Sequence, residues 1–193
     1  ATRANLELTR RLSGERAGSL LSAIDMTVSP SGGRLLAERL AGPSTDPELI
    51  ARRLDAVAAL LDAPDLRDDV RALLKRAPDL ARALSRVALQ RCGPRDLAAL
   101  RDGALAAAAL VARLDRHADL PAELAEAMGG AAAIDLGFAD LLNAALDDEL
   151  PLNKRDGGFI RAGLDAALDE TRALRDESRR VVASLQQRYC EIA

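Results

Sequence analysis

From Leu164 to the end of the chain at Ala193 there is neither a glycine nor a proline. Such a run predicts one continuous helix of about thirty residues, roughly 45 Å long at 1.5 Å per residue. Its apolar stripe is strong at both ends, with Leu164 and Leu168, then Val182, Leu185 and Ile192, but polar in the middle at Thr171, Arg175 and Ser178. A helix buried along its whole length would not break its stripe in that way. Its first part is therefore expected to pack on a helical body, with its far part projecting or meeting something outside this chain.

The rest of the chain must supply that body. A length of 193 residues allows one domain with a sizeable core or two small ones. Hydrophobic residues are 49% of the chain but aromatics only 2%, so the core must be built from Leu, Ala and Val. Ala and Leu are strong helix formers, and strand formers are scarce, so an all-α fold is expected. A net charge of −3 argues against a free-standing nucleic-acid binder, which normally shows a basic excess or face. Cys92 and Cys190 match no metal spacing and are expected to be reduced thiols of a cytosolic protein. No apolar run approaches the ~18 residues of a membrane span. The chain opens without Met, which suggests a piece of something longer.

The clearest internal helix follows Asp46, a good N-cap, with Pro47 at the first helical position and Glu48 at the positive end of the dipole. Ile50, Leu54, Val57 and Leu61 recur at spacings of four, three and four on one apolar stripe, and Pro64 closes the helix. Before it, Ser31-Gly32-Gly33-Arg34 reads as a turn leading into a short helix with Leu35, Leu36 and Leu40 inward. Short helices are expected over 66–75 and 79–90. A longer one starts at Pro94 with Leu97, Leu100, Ala104, Ala107, Val111 and Leu114 on its packing face. Gly103 should cost that helix about 1 kcal/mol relative to Ala. Weaker helices are expected over 121–128 and 132–146. No fixed-period repeat and no linker divides the chain.

Chemistry is sparse. His117, the only histidine, sits at a helix end and has no nucleophile context for a triad. One His and two Cys make a poor zinc set. Asp147-Asp148-Glu149 reads as a solvated helix end without a partner base. The glycine pairs at 32–33 and 157–158 fit no Gly-x-x-x-x-Gly-Lys-Ser/Thr loop, because no Lys-Ser or Lys-Thr pair occurs. Both are expected to be backbone devices using φ > 0. No catalytic, cofactor-binding or metal residue emerges.

An ordered set of landmarks nevertheless resembles one family. Thr2 to Leu8, then Asp25 and Thr27, Gly32 to Leu36, and the helix from Glu48 are similar to the opening of the core (lever) domain of the MutS mismatch-repair family. Leu84, Arg86 and Pro94 to Leu97 resemble the family's Leu-x-Arg…Pro-Arg-Asp-Leu segment. Asp156, Gly157, Gly158, Ile160, Gly163, Leu168, Asp169 and Glu170 resemble its Asp-Gly-Gly-x-Ile-x-x-Gly-x-x-x-x-Leu-Asp-Glu motif. The chain departs from the family at Arg39, where Trp is frequent, and at Leu164, where Tyr is frequent.

The resemblance implies that residues 1–193 form the N-terminal part of the core domain, with 164–193 a helix leading toward a DNA clamp. It implies a structural segment whose DNA-reading and ATP-binding motifs lie outside this chain. ATP and Mg would belong to the full-length protein, and mismatched duplex DNA would be reached through other domains. A second MutS-like subunit and a MutL-type partner are expected, with no membrane and a cytoplasmic, nucleoid-associated location. Asp156, Gly157, Gly158, Ile160 and Gly163 would be a structural motif. Arg179, Arg180 and Arg188 are the candidates for approaching the DNA backbone, against a plain solvated role. An uncovered apolar face is expected where the family's core is completed by later helices. A MutS-like paralogue acting in recombination and an unrelated helical interaction module remain as alternatives.

Overall fold

The structure, a computed structural model, describes residues 5–192, with side chains as far as Cys190. Thr2 to Ala4 of the opening landmark and the Ile192 side chain lie outside the described residues. The fold is all-α: α1 Leu20–Ile24, α2 Pro30–Ala41, α3 Pro47–Asp62, α4 Pro64–Arg76, α5 Leu80–Ala88, α6 Pro94–Leu114, α7 Ala122–Ala132, α8 Leu136–Ala145, a 3₁₀ turn Lys154–Asp156, and α9 Ala166–Ile192.

Local chemistry starts these helices where the sequence permits. Pro30, Pro47, Pro64 and Pro94 each open a helix, where the missing N–H costs nothing. Ser29, Asp46, Asp79 and Asp135 accept hydrogen bonds from the first-turn amides of Gly32, Glu48, Arg82 and Gly137. Asp79 also takes both Nη groups of Arg34 at 2.6 and 2.7 Å, which fastens α2 to the start of α5. That guanidinium holds the Asp79 carboxyl below its ordinary pKa.

Helix α6 is the hub and packs against α4, α5, α7 and α8. Leu100, Ala104, Ala107 and Leu114 are buried as its stripe predicts, with Leu97 and Val111 half-buried. The small residues let neighbouring helices approach closely. Ala83 of α5, Leu142 of α8 and Leu146 complete the main cluster with Ala98 and Leu100, and Leu80, Leu97, Leu150 and Phe159 pack around it.

Three expectations fail here. Gly103 is no weak point in α6, because a Cβ there would collide with the Leu80 side chain, so the glycine is what lets α5 seat. Gly32 and Gly33 are not a turn but the first turn of α2, and neither has positive φ. A side chain there would press the Ser29 cap at 3.1 Å and Thr27 Oγ1 at 3.3 Å. Leu35 lies exposed, while Leu36 and Leu40 are half-buried. Apart from these, the α3 stripe is an uncovered apolar face, with Leu54 62% and Leu61 64% exposed. Helix α3 instead buries Ala56 and packs on the alanine-rich α7 and on α4. Arg39 and Arg53 reach Glu123 of α7 on that side, at 2.8 and 3.7 Å. Small side chains and ion pairs thus win the contact, and the large apolar ones are left over.

Three smaller shifts are at helix ends. Helix α7 runs on to Ala132, α8 starts only after its Asp135 cap, and α9 starts at Ala166.

Candidate functional site at the foot of the long helix

Three glycines set the path of the segment between α8 and α9. Gly157, Gly158 and Gly163 have φ of +69°, +74° and +87°, where any side chain would be strained. The 3₁₀ turn before them is closed by the Asp156 N–H on the Asn153 carbonyl at 3.1 Å. The Asp156 carboxylate in turn accepts the Asn153 N–H at 3.3 Å.

After the glycines the chain runs back across the end of α8. Leu146 and Ile160 form an isolated antiparallel bridge. The Asp147 N–H donates to the Phe159 carbonyl at 3.0 Å, and the Arg161 N–H to the Ala145 carbonyl at 2.8 Å. Phe159 packs on the main core cluster, so this crossing ties the segment to the body by backbone and side chain together. The Arg161 guanidinium reinforces it, donating to the Leu146 carbonyl at 3.0 and 3.2 Å and pairing with Asp148 at 3.0 Å.

The foot of α9 is held by polar groups. Asp165 accepts the Leu168 N–H at 3.0 Å and so serves the helix start. Asp169 accepts the Gly163 N–H at 2.6 Å with one oxygen and pairs with Arg172 at 3.2 Å through the other. Arg172 then donates to the Ile160 carbonyl at 2.9 Å. A continuous chain of contacts runs from the core through Phe159 and Ile160 to Arg172, Asp169 and Gly163. Beyond Arg172 every described side chain of α9 is exposed.

This geometry does not make a phosphate cradle. The Gly157 N–H already bonds the Lys154 carbonyl at 3.4 Å and the Gly163 N–H is taken by Asp169, so two of the amides such a loop would offer are spent. The neighbouring corner between α5 and α6 is also a device of backbone and charge. Asp96 reaches back to the Gly93 N–H at 2.8 Å and accepts Arg86 Nε at 2.8 Å, while Arg86 donates to the Arg91 carbonyl at 3.1 Å. Burial pushes the Asp96 pKa up, but the Gly93 amide and Arg86 outweigh it, and the carboxyl lies below its ordinary value.

Asp156, Gly157, Gly158, Ile160 and Gly163 are brought together in this one segment. Arg179, Arg180 and Arg188 are not part of it: they lie exposed along α9, with Arg188 about 24 Å beyond Arg172. His117 follows the end of α6 and contacts Arg113 at 2.8 Å. Cys92 and Cys190 are free thiols. The residues that sequence reasoning missed are Arg161 and Arg172, whose partners are backbone carbonyls that no pattern of side chains announces. The Asp169–Arg172 spacing of three was the one available sign.

Among the described residues no helix is long and apolar enough to cross a membrane. The family model described as MutS domain III matches residues 1–193. A DNA mismatch repair protein MutS of Rhodopseudomonas palustris (strain BisA53) is 61% identical over 193 residues, covering 100% of this chain and 21% of that protein. That of Nitrobacter winogradskyi is 58% identical over 191 residues, 99% of this chain and 22% of its own length. That of Rhizobium meliloti is also 58% identical over 191 residues, 99% of this chain and 21% of the relative. The chain thus spans about a fifth of the length of the curated relatives it matches.

Proposed function

The chain belongs to the MutS family and corresponds to its domain III, and from that premise we propose that it works as a structural lever in DNA mismatch repair. In this reading the helical body faces the ATP-binding part of the full-length protein, and α9 leads toward the part that grips DNA. The segment itself performs no reaction. ATP and Mg act in the full-length protein, mismatched duplex is bound through other domains, and a second MutS-like subunit and a MutL-type partner complete the assembly. The protein works in the cytoplasm, on the nucleoid when it holds DNA.

The observation that carries the proposal is how α9 is attached. A 27-residue helix is tied to the body through its first turns, by Asp169 and Arg172, and its described side chains beyond Arg172 are exposed. A stiff rod fixed at its foot turns a small rotation of the body into a large displacement at its tip, which suits rigid-body transmission between two sites. Arg179, Arg180 and Arg188 lie along that rod, and we place them on its DNA-ward part as solvated charges or, in closed states, near phosphate oxygens.

The test uses a full-length MutS protein carrying this segment, with Asp169→Ala and Arg172→Ala combined. Heteroduplex affinity should stay within about twofold, while the change in ATP turnover on adding heteroduplex is lost, because coupling is a separate free energy from binding. ATP turnover that still responds fully to heteroduplex would sink the lever reading. The 193-residue chain alone should neither hydrolyse ATP nor bind duplex DNA tightly at physiological salt. Nanomolar, salt-sensitive binding would mean that it grips DNA itself.

A further inference from the structure

The corner where α5 turns into α6 meets the 3₁₀ turn and forms a cleft of about 460 Å³. Arg86, Arg91, Lys154 and Arg155 all line it. Of the two nearby carboxylates, Asp96 holds the Gly93 amide and Arg86, while Asp156 lines the cleft and accepts the Asn153 amide. Arg91, Lys154 and Arg155 take part in no ion pair among the described residues. An acidic chain thus gathers a local positive excess in a concave place, only partly offset by Asp96 on Arg86 and by Asp156.

A second pocket of about 330 Å³ adjoins the first and shares Cys92, Gly93 and Lys154 with it. Its walls are apolar, formed by Val87, Leu97 and Phe159. The charged and apolar halves lie side by side, a layout that asks for an amphipathic ligand.

We propose that this double cleft docks an acidic peptide segment of another protein or domain, with a carboxylate among Arg91, Lys154 and Arg155 and an apolar side chain against Phe159. Charge complementarity selects that occupant. A DNA backbone would need a continuous basic track. Here the cations stop at one half of the cleft, and the other half is walled by Val87, Leu97 and Phe159. A polyanion crossing both halves would leave charge unpaired on the apolar side, whereas a peptide with one or two acids at one end and an apolar side chain at the other matches both. Guanidinium groups suit the occupant because they hold a carboxylate through paired hydrogen bonds.

The probe is a short fluorescein-labelled peptide, Glu-Glu-Leu-Phe-Glu-Leu, titrated with the 193-residue chain and followed by anisotropy. Saturable binding below about 1 mM is expected, weakened about tenfold when Lys154→Glu and Arg155→Glu are combined. Val87→Ser should weaken it about threefold from the apolar side, and Arg91→Glu gives a second charge test, each checked for intact helix by circular dichroism. Absence of saturation, or equal binding of the peptide with Gln for every Glu, overturns the proposal. Tighter binding of a short duplex DNA, lost in the same variants, would assign the cleft to phosphate instead. Self-association of the chain abolished by those variants would assign it to a second copy.

Discussion

Helix α6 buries an alanine and leucine face among four neighbouring helices, whereas α9 leaves every described side chain beyond Arg172 exposed. The two helices are the longest in the chain, at 21 and 27 residues, and both carry apolar stripes. What separates them is the size of the residues on the stripe and what meets them. Ala98, Ala104 and Ala107 let other backbones come close, so α6 is fixed by packing over its whole length. Helix α9 presents Val182, Leu185 and Tyr189 to solvent and is fixed at one end by hydrogen bonds and an ion pair. Packing makes a hub, and a polar foot makes an arm.

That contrast is broken most severely in the body. Leu146 is 1% exposed, at the point where the main cluster meets the bridge to Ile160. Leu146→Ala should cost roughly 2–5 kcal/mol in urea unfolding, since a cavity adds to the lost transfer energy. Gly103→Ala should cost about 1–3 kcal/mol, because the new methyl must displace Leu80. Stabilisation by that alanine, as intrinsic helix propensity favours, would mean that α5 is not seated as described.

At the foot of the arm the effect should be local. Asp169→Ala removes the acceptor of the Gly163 amide and the partner of Arg172. It should lower the opening free energy of residues 160–172 by about 1–2 kcal/mol in hydrogen exchange, with little change in the global midpoint. A large drop in global stability would place the foot inside the core's cooperative unit.

Acid should loosen the body through Asp79 and Asp96. Both carboxyls have folded-state pKa values below the ordinary ~3.9, so on acidification the unfolded chain takes up protons first. Their stabilisation is therefore fully present above about pH 5 and is lost as pH falls through 4 toward the folded values. Melting temperatures taken from pH 7 down to 3 should show that fall, and Asp79→Asn should flatten part of it. The smallest effect belongs to the arm: Leu185→Ala should change stability by less than about 0.5 kcal/mol.

Much of the body was legible in the sequence because its signals are local. Pro47 after Asp46, the three-four stripe of α6, and a glycine turn before an unbroken helix each depend on residues a few places apart. The misread parts depend on distant neighbours. Which way the α3 stripe faces could not be read from its period either, because it is decided by α7, which offers alanines and Glu123 on the other side. Gly103 looked like a cost because Leu80, 23 positions earlier, could not be placed against it. At the foot, the three glycines were visible by type, while Arg161 and Arg172 were not, since both act on backbone carbonyls. The resemblance through Arg86 and Asp96 gains a physical meaning here, as one ion pair that closes the α5–α6 corner.

The central claim is that α9 is a stiff arm set at one angle by its polar foot. It is tested most directly by a spin-label distance between Leu105 on the exposed side of α6 and Gln187 on α9, in a chain with both native cysteines replaced by serine. A single narrow distance distribution is predicted, broadening when Asp169→Ala and Arg172→Ala are introduced. A broad distribution in the parent chain, or one that the double substitution leaves unchanged, would contradict it.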